Sequence, residues 1–102
     1  MERSYTANEI KAKLIPIFDA VPVEKAILFG SYAKGNPTVA SDVDILIDCN
    51  GMIRGIDFFG ILDDITEALN ISVDLIEASQ IIADGRVQHE IAETGIVIYE
   101  RA

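Results

Sequence analysis

Tryptophan is absent, cysteine and histidine occur once each, and only eight of the 102 residues are lysine or arginine. Each scarcity removes a class of explanation. A single cysteine, Cys49, allows no internal disulfide, which fits a reducing cytoplasm rather than a stapled secreted scaffold. Its simplest role is that of a small residue at a strand end. The one histidine, His89, leaves no His/Cys spacing from which to build a zinc site, and a surface position suits it best. Seventeen acidic side chains give a formal charge of −9, whereas long nucleic acid calls for a basic surface. No apolar run approaches the ~20 residues of a membrane span. Met1-Glu2-Arg3-Ser4-Tyr5 lacks the apolar core of a signal peptide. The expectation is a cytoplasmic protein that binds neither membrane nor long RNA or DNA. A nucleotide stays easy to accommodate, because bound cations would offset part of the acidic charge.

Apolar residues, by contrast, are plentiful: 50% of the chain, with a mean hydropathy of +0.30. A chain of this length buries one core, so a single domain over residues 1–102 is expected. Small domains leave much of their surface exposed, and the apolar surplus therefore points to a protein partner, homo- or hetero-oligomeric.

The pattern along the chain alternates. Thr6-Ala7-Asn8-Glu9 reads as a capping box, followed by Ile10, Leu14, Ile17 and Phe18 at helical spacing. Pro16 is expected to bend or shorten that helix. Lys25–Phe29 is a short buried strand. Val43–Asp48 is a second, with Val43, Ile45 and Ile47 on one face and Asp42, Asp44, Leu46 and Asp48 on the other. Phe58, Ile61, Leu62, Ile65 and Leu69 mark an amphipathic helix ending near Asn70. Ser72–Glu77 is a third strand, parallel to the second through a right-handed crossover. Ala83–Thr94 predicts a helix with Val87 and Ile91 inward and Gly95 at its stop position, and Ile96–Tyr99 a last strand. The fold class is α/β: a mixed sheet with helices mainly on one face.

One stretch carries chemistry. Gly30-Ser31 breaks the first strand where a helix should begin, and there backbone N–H groups and a hydroxyl can cradle phosphate. Lys34 would neutralise a leaving pyrophosphate. Ten residues after Gly-Ser, Asp42-Val43-Asp44 places two carboxylates ~6.6 Å apart on one strand face. Carboxylate oxygens suit hard divalent cations, and such a pair can bridge the ~3.5–4 Å between two catalytic ions. If the third strand lies beside the second, Asp74 joins them. Gly-Ser and Asp-x-Asp at this spacing arise by chance in about one such chain in a thousand. Neither a Walker loop nor a dinucleotide fingerprint is present. Tyr32 has a packing role as its simpler reading and base stacking as the alternative. Arg54 and Arg86 are further phosphate candidates.

Gly30-Ser31, Asp42-Val43-Asp44 and a later strand aspartate, Asp74, resemble the DNA polymerase beta-type nucleotidyltransferase superfamily. The Gly-Ser-Tyr-Ala-Lys-Gly run and the Gly95-Ile96-Val97-Ile98-Tyr99 ending are similar to its minimal nucleotidyltransferase (MNT) branch, which includes antitoxins paired with HEPN-domain ribonuclease toxins. The resemblance implies a nucleotidyltransferase fold, two Mg2+ ions on Asp42, Asp44 and Asp74, and ATP as substrate. Asp74 would also help to remove the acceptor's proton, while Gly30 and Ser31 would hold the β and γ phosphates. It implies AMP transfer to a protein hydroxyl, a tyrosine of a HEPN toxin, with the acceptor presented by another chain. Two alternatives stand beside it: an antitoxin that masks its partner without chemistry, and nucleotidyl transfer to a small molecule with a separate helical subunit.

Overall fold

A computed structural model describes residues 5–38, 40–53, 55–81 and 85–101. Helix α1 (Ala7–Asp19) leads to strand β1 (Lys25–Phe29), the short helix α2 (Gly30–Lys34), strand β2 (Val43–Asp48) and helix α3 (Gly55–Leu69). Strand β3 (Val73–Glu77), a 3-10 turn (Ala78–Ile81), helix α4 (Gly85–Thr94) and strand β4 (Ile96–Glu100) complete the chain. The four strands form one mixed sheet in the order β3-β2-β1-β4. β2 pairs with β1 antiparallel and with β3 parallel, while β4 runs antiparallel along the other edge of β1. The expected parallel neighbours, second and third strands, are thus side by side.

The main core lies between one sheet face and helices α1 and α3. Ile10, Leu14 and Phe18 from α1, Ile61, Ile65 and Leu69 from α3, and Leu28, Val43, Ile45 and Ile47 from the sheet are all buried there. Alternation along β2 places Asp44 and Leu46 on the reverse face. That face is partly covered too: Phe29, Leu46 and Val87 form a second, smaller buried cluster, with Ile27, Ile76 and Ile91 packed against it. Helix α4 therefore shields part of the reverse face, a consequence of Val87 and Ile91 standing one turn apart on its inner side.

The local predictions hold with two refinements. The capping box forms: Thr6 Oγ1 accepts from the Glu9 N–H at 3.1 Å, and Glu9 Oε1 accepts from the Thr6 N–H at 2.9 Å. Helix α1, however, runs through Pro16 to Asp19 rather than stopping short. Pro16 sits on the solvent side, as does Ala12, whose carbonyl loses its partner to the proline; water can serve it there. Gly95 does follow the last residue of α4, but its need for glycine is crowding. Any side chain would meet the Ile91 carbonyl and the Ile27 methyl group.

Arg101, just past β4, ties the far end of the sheet to α1. Its guanidinium donates to the carbonyls of Phe18 (3.1 Å), Val21 (2.9 Å) and Val23 (3.2 Å). These carbonyls run from the last turn of α1 to the turn before β1.

Candidate active site

The reverse face of the sheet, beyond the cover of α4, holds the acidic residues. Parallel pairing sets Asp44 directly opposite Asp74, and antiparallel pairing sets Asp44 opposite Phe29, the last residue of β1. The chain turns immediately after Phe29 into α2, so Gly30 lies against Asp44. Gly30 has φ +75°, and a side chain there would overlap the Asp44 carboxylate. Both constraints demand glycine: the left-handed backbone and the close approach. Gly30 is buried, Ser31 and Asp44 are half-buried, and Asp42 and Asp74 are exposed.

Electrostatics at Asp44 record this crowding. Its pKa is raised from 3.8 to about 6, first by burial and then by the negative charges of Asp74, Glu90 and Asp42. The three sequence-predicted aspartates therefore share one electrostatic neighbourhood. Asp42 falls just before β2 rather than inside it, and its tie to Asp44 is one of charge. Their donor chemistry, carboxylate oxygens alone, fits a hard divalent cation. As they stand, though, no three acidic, histidine or cysteine side chains among the described residues close around one point as a metal site.

Glu90 escaped the sequence reading. It occupies α4 with Val87, Ile91 and Thr94, which share one helical face by their spacing of three and four. The signal was legible: two of the four inward positions on an otherwise apolar stripe are polar. Thr94 Oγ1 donates to the Glu90 carbonyl at 2.8 Å and accepts from the Gly30 N–H at 3.2 Å.

The remaining candidates separate clearly. Lys34 is the exposed last residue of α2, one turn beyond Ser31. Tyr32 is buried in the main core, 4% exposed, so packing is its role, and burial raises its phenol pKa. His89 is exposed and pairs with Glu93 at 3.1 Å. Cys49 is buried and unpaired. Burial, with the charges of Glu77 and Asp48, pushes its thiol up to about 11, which leaves it unreactive. Arg86 is exposed at the start of α4, and Arg54 lies outside the described residues. No helix among the described residues is long and apolar enough to cross a membrane.

A small mixed sheet with a Gly-Ser turn at one strand end and facing aspartates on the neighbouring strands is the framework of a nucleotidyl-transferring enzyme. Residues 12–102 match the family model described as "Polymerase beta, Nucleotidyltransferase", and the chain belongs to that family. It is 35% identical over 74 residues to "Putative protein adenylyltransferase MJ0435" of Methanocaldococcus jannaschii, a match covering 72% of this chain and 80% of the relative. A second protein of that organism, named "Putative protein adenylyltransferase MJ0604", is 32% identical over 84 residues, covering 76% of this chain and 79% of its own. Among solved structures, a toxin–antitoxin crystal structure with AMP-PNP superposes with a TM-score of 0.73 at 22% identity, covering 89% of this chain and 73% of that one. A complex of a tri-AMPylated Shewanella oneidensis HEPN toxin with an MNT antitoxin gives 0.67 at 21% identity, covering 90% and 71%. At these identities the superpositions establish the fold. The chain is a nucleotidyltransferase with the architecture that the sequence pattern predicted.

Proposed function

We propose that this enzyme transfers AMP from ATP to a hydroxyl of a partner protein, a tyrosine of a HEPN-type ribonuclease toxin, and so silences it. The observation that carries the reading is the juxtaposition of Asp44 with Asp74 across β2 and β3, beside the Gly30-Ser31 turn. The names of the two relatives and the toxin–antitoxin complexes sharing the fold support the acceptor class.

In this reading the acceptor oxygen attacks the α-phosphorus of ATP. The new O–P bond forms as the bond to pyrophosphate breaks, and pyrophosphate leaves with the electron pair. The Asp74 carboxylate takes the hydroxyl proton. Ser31 contributes its hydroxyl and an N–H from the first turn of α2, one of the donors that a helix start leaves without an internal acceptor. Lys34 offsets charge on the departing pyrophosphate. Asp42 and Asp44 would hold both Mg2+ ions, and Asp74 the catalytic one of the two. When bound, these ions would neutralise charge on the triphosphate and lower the acceptor's pKa. The Asp42, Asp74 and Glu90 charges that raise the Asp44 pKa favour such cations for the same electrostatic reason.

Exposed apolar side chains favour a protein acceptor. Met52 (66% exposed), Ile56 (80%) and Phe59 (64%) gather around the start of α3, and Ile96 and Val97 are exposed on the edge strand β4. Radiolabelled ATP, magnesium and a purified HEPN-type toxin candidate test the proposal. Label should appear on the toxin, and Asp74→Asn or Asp42→Asn should reduce it at least ~100-fold, since metal stabilisation of phosphoryl charge is worth several kcal/mol. A wild type that neutralises the toxin without labelling it, and an Asp74→Asn variant that does so equally well, would establish masking instead.

A further inference from the structure

Helix α4 is joined to the start of α2 by one side chain that the proposed reaction does not use. Thr94 Oγ1 spends its only proton on the Glu90 carbonyl at 2.8 Å. Its lone pairs therefore face outward, and one accepts the Gly30 N–H at 3.2 Å. The direction of both bonds is fixed, because a hydroxyl has one proton to give. Gly30 is the residue whose left-handed backbone rests against the Asp44 carboxylate. Its N–H is thus held by Thr94, which leaves Ser31 as the first free donor of the turn. Gly95 completes the corner, since any side chain there would press on the Ile91 carbonyl and Ile27 and lever α4 away from β1.

We propose that Thr94 is a positioning residue for nucleotide binding. It pins Gly30 so that Ser31 is presented to the triphosphate and Asp44 keeps its place beside Asp74. The inference rests on the nucleotidyl-transfer reading for its functional half. Its structural half, the pinned Gly30 amide, stands on the hydrogen bonds alone. A threonine on the inner face of a helix is otherwise a poor choice there, because its hydroxyl competes for helix carbonyls. A partner in Gly30 explains its presence.

The test compares Thr94→Val, which keeps the shape and removes the acceptor, with Thr94→Ser, which keeps the hydroxyl. Three readouts are needed: amide exchange at Gly30 by NMR, the dissociation constant for Mg·ATP by calorimetry, and the unfolding midpoint. In the wild type and Thr94→Ser the Gly30 amide should be protected. In Thr94→Val its exchange should rise at least tenfold, and Mg·ATP binding should weaken about five- to tenfold, the upper range for loss of one hydrogen bond. Binding to Thr94→Ser should stay within about threefold of wild type. Unchanged Gly30 exchange in Thr94→Val overturns the pin. Faster exchange with unchanged Mg·ATP affinity overturns the role in binding, and so does an equal loss in Thr94→Val and Thr94→Ser. A wild-type chain with a protected Gly30 amide but no Mg·ATP binding removes the nucleotide reading itself, and with it the functional half of the proposal.

Discussion

Asp44→Asn separates the stability of the site from its chemistry. Asp44 is half-buried beside other negative charges, and its pKa is raised from 3.8 to about 6. A carboxyl whose folded pKa exceeds its unfolded one stabilises the fold fully below the unfolded value. That contribution is lost as pH climbs through the folded value. Without divalent cations, then, the ionised Asp44 carboxylate burdens the protein above about pH 6 and not below about pH 4. Each pH unit of displacement is worth about 1.36 kcal/mol at full strength, and solvent screening of a half-exposed group reduces this. We expect Asp44→Asn to be about 1–2 kcal/mol more stable than wild type at pH 7.5, or about 5–10 °C in Tm for a domain of this size. The advantage should vanish by pH 4, where both side chains are neutral. Thermal unfolding in EDTA, followed by circular dichroism, gives both values. Magnesium should then raise the wild-type Tm and leave the variant nearly unmoved. An Asn variant no more stable at neutral pH, or equally favoured at pH 4 and 7.5, would refute the electrostatic account. The same substitution should cut AMP transfer at least ~100-fold, so stability and activity move in opposite directions.

Other perturbations probe the frame around the site. Gly30→Ala places a methyl group against Asp44 on a left-handed backbone, and should cost about 2–4 kcal/mol in urea unfolding. Adding Asp44→Ala should recover part of that loss; no recovery would mean that the backbone alone demands glycine. Arg101→Ala removes three hydrogen bonds to carbonyls at the end of α1 and should cost about 1.5–3 kcal/mol, whereas Arg101→Lys should restore less than half, because an ammonium lacks the planar fork. Ile56→Asp with Phe59→Asp should leave Tm within about 3 °C, since both side chains are already exposed, yet weaken capture of a toxin partner more than tenfold if that surface is the docking face.

Much of this enzyme is written locally in its chain. The capping box at Thr6 and Glu9, the buried alternation of Val43, Ile45 and Ile47, and the helical spacing from Phe58 to Leu69 each follow from short-range geometry. Side-chain periodicity records which face must leave water, and that constraint holds whatever the neighbours are. The Gly30-Ser31 and Asp42-Val43-Asp44 signature was equally legible, because the spacing of a motif survives folding. Pro16 shows where local rules overreach: with its ring and the bereft Ala12 carbonyl on the solvent side, the packing of Leu14 and Phe18 carries α1 past it.

Only the tertiary structure decided which residues the aspartates meet. That β4 pairs along the far edge of β1, and that α4 folds over the reverse face, depends on contacts between residues far apart in the chain. The Gly30 amide on the Thr94 hydroxyl is one of these. Glu90 likewise acquires its influence on Asp44 by the docking of α4, and Leu46, on the same face as the aspartates, is buried by Val87 rather than exposed. A strand pattern states that a residue faces up or down. What stands over it is a property of the assembled layers, where burial and neighbouring charge set how readily Asp44 holds its proton.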